Sequence, residues 1–244
     1  MSLLLLFQPQ ATRGGSTSVT FDAISSGTNI TAQLAGGTTT VSHVVGSGTN
    51  RTLIVNVSAW NNGGTGTGCS SITYGGVSMT KVTGSGIANG AFYTEQWYLI
   101  APTSGTANIV ATVAAKTDKL GLGNVSFAGT NQTNPIDANT AVSGTVGTVT
   151  ASLTTTSANE YLVDVVNHLS ANTPTSHTGT TIILDASLGV DTSSQYGPAT
   201  TAGANSMNYV YPDPGDAWAY SVLAVKAASS GGVTVKKNQF FVMF

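Results

Sequence analysis

Ser71-Ile72-Thr73-Tyr74-Gly75-Gly76-Val77-Ser78-Met79-Thr80-Lys81-Val82 sets two β-type runs on either side of a Gly-Gly pair. A two-residue connection of this kind needs positive φ, which glycine adopts without steric cost, so the stretch predicts a tight antiparallel hairpin. The same pattern spreads outward in both directions. Phe92-Tyr93-Thr94-Glu95-Gln96-Trp97-Tyr98-Leu99-Ile100-Ala101 alternates Tyr93, Glu95, Trp97 and Leu99 with Phe92, Gln96, Tyr98 and Ile100, which predicts a strand covered on both faces. It stops at the turn sequence Pro102-Thr103-Ser104-Gly105. Further strands are predicted at 30–34, 39–45, 52–59, 107–113, 123–128, 146–153, 160–168, 180–188, 206–211 and 218–226, with Gly, Ser, Thr and Asn clusters between them. No segment carries a sustained 3.6-residue period. The expected fold is all-β: an antiparallel β-sandwich, jelly-roll-like, with N- and C-terminal arms.

Composition agrees. The 244 residues include 38 Thr, 29 Gly and 26 Ser but only 18 charged side chains. A charged share of 7% is far below the roughly 25% of an average soluble domain, and the helix-forming Glu and Lys are scarce, which excludes a bundle or coiled coil. The hydrophobic share of 41% is too high for a disordered chain. A net charge of −2 supplies no field for phosphates, so nucleic acid is not an expected partner. Cys69, alone, makes no intramolecular disulfide. With no apolar run near 20 residues, no membrane span is expected.

No charged or proline-rich linker interrupts the chain and no repeat at a fixed period stands out, so one domain over 16–227 is the simplest organisation. Outside it lie an apolar arm, 1–15, and a tail, 228–244. The arm opens Leu3-Leu4-Leu5-Leu6-Phe7 without a basic residue before it and stops at Gln8-Pro9, which reads as a retained segment and not an export signal. The tail holds Phe240, Phe241, Val242 and Phe244. Left in water, such segments invite pairing with other chains, so Leu3 to Phe7 and Phe240 to Phe244 are the expected assembly residues.

Candidate chemistry is thin. His168 and Asp164 share a face of one predicted strand, but four residues at a rise of about 3.3 Å separate them by about 13 Å, beyond hydrogen-bond reach. No Gly-x-Ser-x-Gly elbow occurs, and Gly63-Gly64-Thr65-Gly66-Thr67-Gly68 lacks the Lys and helix of a phosphate cradle. Asp213 and Asp216, in Tyr211-Pro212-Asp213-Pro214-Gly215-Asp216, could offer two oxygens to Ca²⁺, although the stretch reads first as a turn. Nothing sets Glu95 against Glu160 as a glycosidase pair. Trp60-Asn61-Asn62 leads out of a strand into a polar loop and is the best place for a sugar to stack and be hydrogen-bonded, against the reading of strand aromatics as core. No cofactor or metal is expected, and no catalytic residue is assigned.

The order of five segments resembles a β-sandwich type met in bacteriophage and metagenomic reading frames. They are Arg51-Thr52-Leu53-Ile54-Val55-Asn56-Val57-Ser58, Ile72-Thr73-Tyr74-Gly75-Gly76-Val77-Ser78-Met79, Glu95-Gln96-Trp97-Tyr98-Leu99, Pro102-Thr103-Ser104-Gly105-Thr106 and Val125-Ser126-Phe127-Ala128-Gly129. The Leu-Leu-Leu-Leu-Phe opening is similar to starts in such phage-associated proteins. The resemblance covers about residues 50–137 together with the strand at 218–226, and its motifs mark strands and turns, so it carries over no catalytic residue. It implies a non-enzymatic structural protein of a phage particle, a capsid decoration or tail component made in the host cytoplasm, that binds other copies of itself and other virion proteins. The alternative expectation is a carbohydrate-binding or adhesive module on a virion or cell surface, with surface glycans as partners.

Overall fold

A computed structural model describes residues 18–145, 148–169, 175–176, 178–187, 190–210 and 215–229. Among them there are strands and turns and no helix. The first half of the chain forms β1 (Thr20–Asn29), β2 (Thr38–Val45), β3 (Thr52–Trp60), β4 (Cys69–Tyr74), β5 (Val77–Ser78), β6 (Thr80–Lys81), β7 (Ile87–Asn89), β8 (Phe92–Ile100), β9 (Gly105–Val113) and β10 (Lys119–Ala128). The second forms β11 (Ile136–Gly144), β12 (Thr148–Thr155), β13 (Glu160–His168), β14 (Thr175–Ser176), β15 (Thr181–Ser187), β16 (Asp191–Ala199), β17 (Gly203–Val210) and β18 (Trp218–Val225). All paired neighbours are antiparallel.

The Gly-Gly hairpin forms as expected. Gly75 and Gly76 take φ of 56° and 83°, and Tyr74 pairs with Val77. Its second run, read as one strand over 77–82, is divided. β5 stays with β4, while Thr80 and Lys81 leave for β8, pairing with Tyr98 and Trp97. The break falls at Met79, whose side chain is buried in the core between the two sheets.

Four sheets result. In the first half β1-β10-β3-β8-β6 faces β2-β9-β4-β5; in the second β11-β18-β13-β16-β15 pairs off with β12-β17-β14. Strand for strand, β1-β10-β3-β8 matches β11-β18-β13-β16, and β2-β9-β4 matches β12-β17-β14. Register agrees too. Val45 pairs with Gly105 as Thr155 pairs with Gly203, and both glycines have positive φ. β2 and β12 bury alternate residues in the same order. Phe21-Asp22-Ala23 and Ile136-Asp137-Ala138 both bulge at the aspartate. Asp22 accepts from Gly46 N at 2.8 Å, and Asp137 accepts from Thr156 N. The chain holds two copies of one strand order, although no repeat at a fixed period stands out in its sequence. Unequal connections erase any fixed period, and matching positions keep burial but not residue identity.

Each half has its own core. Leu53, Val55, Val57, Ile109 and Leu122 fill the first; Leu162, Val166, Met207, Tyr220 and Val222 fill the second. A third core joins them, with Ile54, Val125 and Phe127 of the first half against Val163, Leu223 and Val225 of the second. Polar rungs cross the same seam. Gln96 Nε2 donates to Val163 O at 3.0 Å, Asn167 Nδ2 to Ala59 O at 2.7 Å, and Thr94 Oγ1 meets Ser221 Oγ at 2.8 Å. Two glycines permit the approach: a Cβ at Gly121 would lie 2.8 Å from Thr192 Cγ2, and one at Gly123 2.2 Å from Ser194 Oγ. The Thr192 and Ser194 side chains of β16 thus pack directly on the β10 backbone.

Five strands fall outside the expected ones: the short β7 and β14, and the long β1, β11 and β16. The three long ones are rich in Ser, Thr, Gly, Asn or Asp, and β16 buries Thr192, Ser193, Ser194 and Gln195. The strand expected at 30–34 is instead a connection, with Gln33 in an isolated bridge to Thr117.

Candidate functional site

The expected sugar platform lies at the end of β3, with Trp60 and Asn61 half-buried and Asn62 exposed. Trp60 ends β3 half-buried, packed with Phe92, Val190 and Ala219 where the two halves meet. The ammonium of Lys119 sits 5.0 Å from its ring centroid, a cation–π contact. Asn61 Nδ2 donates to Thr65 O at 3.1 Å, and the backbone N–H of Asn62 donates to Asp118 at 2.8 Å. The three residues adjoin, and Asn61 Oδ1 also accepts from Lys116 Nζ at 3.4 Å.

Asp216 is half-buried, and Asp213 lies outside the described residues, as do Leu3, Leu4, Leu5, Leu6, Phe7, Phe240, Phe241, Val242 and Phe244. Among the described residues no three His, Cys, Asp or Glu side chains gather as a metal site, and no helix is long and apolar enough to cross a membrane.

Asp164 and His168 both lie on β13, an extended strand, as expected. Asp164 has other partners. Its carboxylate accepts from Tyr220 OH at 2.6 Å, Tyr209 OH at 2.9 Å, and Gln195 Nε2 and N at 2.9 and 3.0 Å. Burial pushes it up to about 7 while those donors pull it down. Three of these donors come from the neighbouring strands of the same sheet, and Tyr209, on β17, ties the buried carboxylate to the facing sheet. Glu95, also buried, accepts from Cys69 N at 2.7 Å and Trp97 Nε1 at 2.9 Å and pairs with Lys81. Burial raises the Cys69 thiol, which keeps it unreactive.

Among the described residues, two clefts occupy the same place in the two halves. The first, about 230 Å³, lies among Tyr74, Val77, Leu99, Ile100, Pro102 and Ala107. The second, about 200 Å³, lies among Thr178, Thr180, Pro198, Asn205, Ser206 and Met207. By register Leu99 and Ile100 correspond to Gly197 and Pro198, and Ala107 to Asn205. One place in the fold thus carries an apolar lining in one copy and hydroxyls and an amide in the other. Among the described residues, and apart from the Tyr74 phenol, no ionisable side chain lines either cleft, which suits uncharged ligands.

Sequence reasoning did not find these linings because each combines the end of one strand, the start of the next and a separate turn. The Gly-bearing turns 75–76 and 179, with φ of 56°, 83° and 83°, are the shared local signal. No protein-family model matches the chain, and no match occurs among curated proteins or among solved structures.

Proposed function

We propose that this is a structural protein of a phage particle, a capsid decoration or tail component built from two jelly-roll-like sandwiches in tandem. The observation that carries the reading is the duplicated strand order, β1-β10-β3-β8 over β2-β9-β4 and its copy. Viral capsid and lectin domains are among the known uses of paired antiparallel sheets of this kind, an analogy of fold and not of site. Sparse charge supports it: 18 charged residues in 244 is little for a freely soluble surface. The apolar segments at 3–7 and 240–244 supply surface for contacts with other copies and other virion proteins. Sedimentation at micromolar concentration tests this. Assembly of the full chain that is lost without residues 233–244 is the expected result. Monomer for both forms overturns it.

The second cleft favours one other reading, a module for surface glycans. Its lining sets the hydroxyls of Thr178 and Ser206 and the Asn205 side chain, whose Nδ2 is held by Thr155 Oγ1 and Gly203 O, beside Pro198 and Met207, a mix of polar and apolar groups that suits an uncharged sugar ring. A panel of neutral glycans tests it. Binding that Asn205→Ala removes while Trp60→Ala leaves it unchanged supports the cleft, and no binding on the panel removes this reading.

A further inference from the structure

At the open edge of the first half, β1, β2 and β10 bring a chain of polar side chains together. Ser25 Oγ lies 2.8 Å from His43 Nδ1, His43 Nε2 lies 3.1 Å from Ser126 Oγ, and Ser126 Oγ donates to Asp22 Oδ2 at 2.7 Å. The direction of every proton follows. As a carboxylate Asp22 only accepts, so the Ser126 hydrogen points to it. Ser126 Oγ then accepts from His43 Nε2–H. His43 Nδ1 is left with its lone pair toward the Ser25 hydroxyl, which donates to it. Asn124 Nδ2 donates to Ser25 Oγ at 3.2 Å, so the Ser25 proton is not drawn elsewhere. Gly46 N holds Asp22 from the far side at 2.8 Å. Burial pushes His43 down to about 4, with Asp22 pulling the other way, so the ring is neutral at ordinary pH. His43 and Ser126 are buried, while Ser25 at the end of the relay is half-buried on an edge strand.

The second half shows what this edge needs for folding alone. Register places Thr140 where Ser25 stands, and Leu153 where His43 stands. Val222 and Ala224 take the places of Asn124 and Ser126, and both are buried in the apolar core with Leu153. The bulged aspartate is common to both copies; the Ser–His–Ser relay ending on it belongs to one. Apolar residues close the same edge of the same fold, so the relay is not required by the architecture.

We propose that Ser25 is an activated nucleophile, with His43 as its base and Ser126 and Asp22 as positioning residues, acting on ester carbonyls presented at the β1 edge. Ser25 Oγ bonds to the carbonyl carbon as its proton passes to His43 Nδ1. The C–O bond to the alcohol breaks, and the imidazolium returns the proton to the departing oxygen, leaving acyl-Ser25 and free alcohol. Water, deprotonated by His43, then releases the acid and restores Ser25. The ring is turned over relative to the usual serine–histidine pair, with Nδ1 and not Nε2 toward the nucleophile. The proposal is independent of a role in a particle.

The test treats the full chain with an alkyl fluorophosphonate, which Ser25 would attack with loss of fluoride, and locates the adduct by peptide mass mapping. The expected result is a single adduct on Ser25, absent in Ser25→Ala. His43→Leu installs the residue that the second half already carries, so its fold, followed by circular dichroism, is expected to persist while labelling slows by about 10²-fold or more. Ser126→Ala, with His43 in place, is expected to slow labelling to a lesser degree. No adduct on Ser25, or equal rates in wild type and both variants, overturns the proposal.

Discussion

Glu160 holds a carboxyl in a fully buried position at the start of β13, close to Ser157 and Asp137. Burial, then the nearby Asp137 carboxylate, pushes it up to about 8, with Lys226 acting in the opposite sense. The unfolded chain releases this proton near the ordinary carboxylate value of about 4.3. Between the two values the folded state holds a proton that the unfolded state has lost. Its stability contribution is therefore full at low pH and declines as pH rises toward 8, by up to about 1.4 kcal/mol per pH unit. Asp164 and Asp191, raised to about 7 and about 6 by burial, add the same sign over narrower windows. Melting temperature is expected to fall between pH 5 and pH 8, and Glu160→Gln to fall less. Equal falls for both proteins would count against this account. No sequence signal marked Glu160 as buried, since charge at a strand's first residue usually reads as surface.

At the scale of the element, the Gly75-Gly76 turn separates backbone cost from packing. A Cβ at Gly76 would meet nothing within 4 Å, yet its φ is 83°. Gly76→Ala should then cost about 1–2 kcal/mol through the left-handed backbone alone. Gly76→Asn should cost less, because asparagine tolerates that region. Denaturant midpoints at constant slope measure both, and an alanine variant as stable as wild type would show that the turn relaxes. This hairpin was legible from residues 71–82 because its chemistry is local. β1 and β16 were not. Thr20-Phe21-Asp22-Ala23-Ile24-Ser25 and Asp191-Thr192-Ser193-Ser194-Gln195 look like connections, and they become strands because neighbouring strands satisfy their backbone and polar side chains.

Over the whole molecule, the seam between the halves makes the two sandwiches one cooperative unit. Leu223 is fully buried there with Ile54, Val125 and Phe127 of the other half. Leu223→Ala is expected to cost about 2–5 kcal/mol and to lower a single calorimetric transition for both halves. Two separated transitions would show that the halves melt independently.

Composition and period-two alternation were enough to exclude helices and to place the Val-, Ile- and aromatic-rich strands, because those properties act between near neighbours in the chain. Alternation also foresaw the two covered faces of β8, with Trp97 in one core and Tyr98 against the other. The duplication, the paired clefts and the Ser25–His43–Ser126–Asp22 relay lay beyond any local pattern. Residues 22 and 126 are on opposite ends of a half, and they meet only because β1 closes against β10. Likewise Asp22 and Asp137 are recognisable as one position only through their shared bulge and register. Strand pairing at long range sets which polar groups share a buried site, and for a chain this rich in Thr, Ser and Gly that pairing distinguishes a loop from a core.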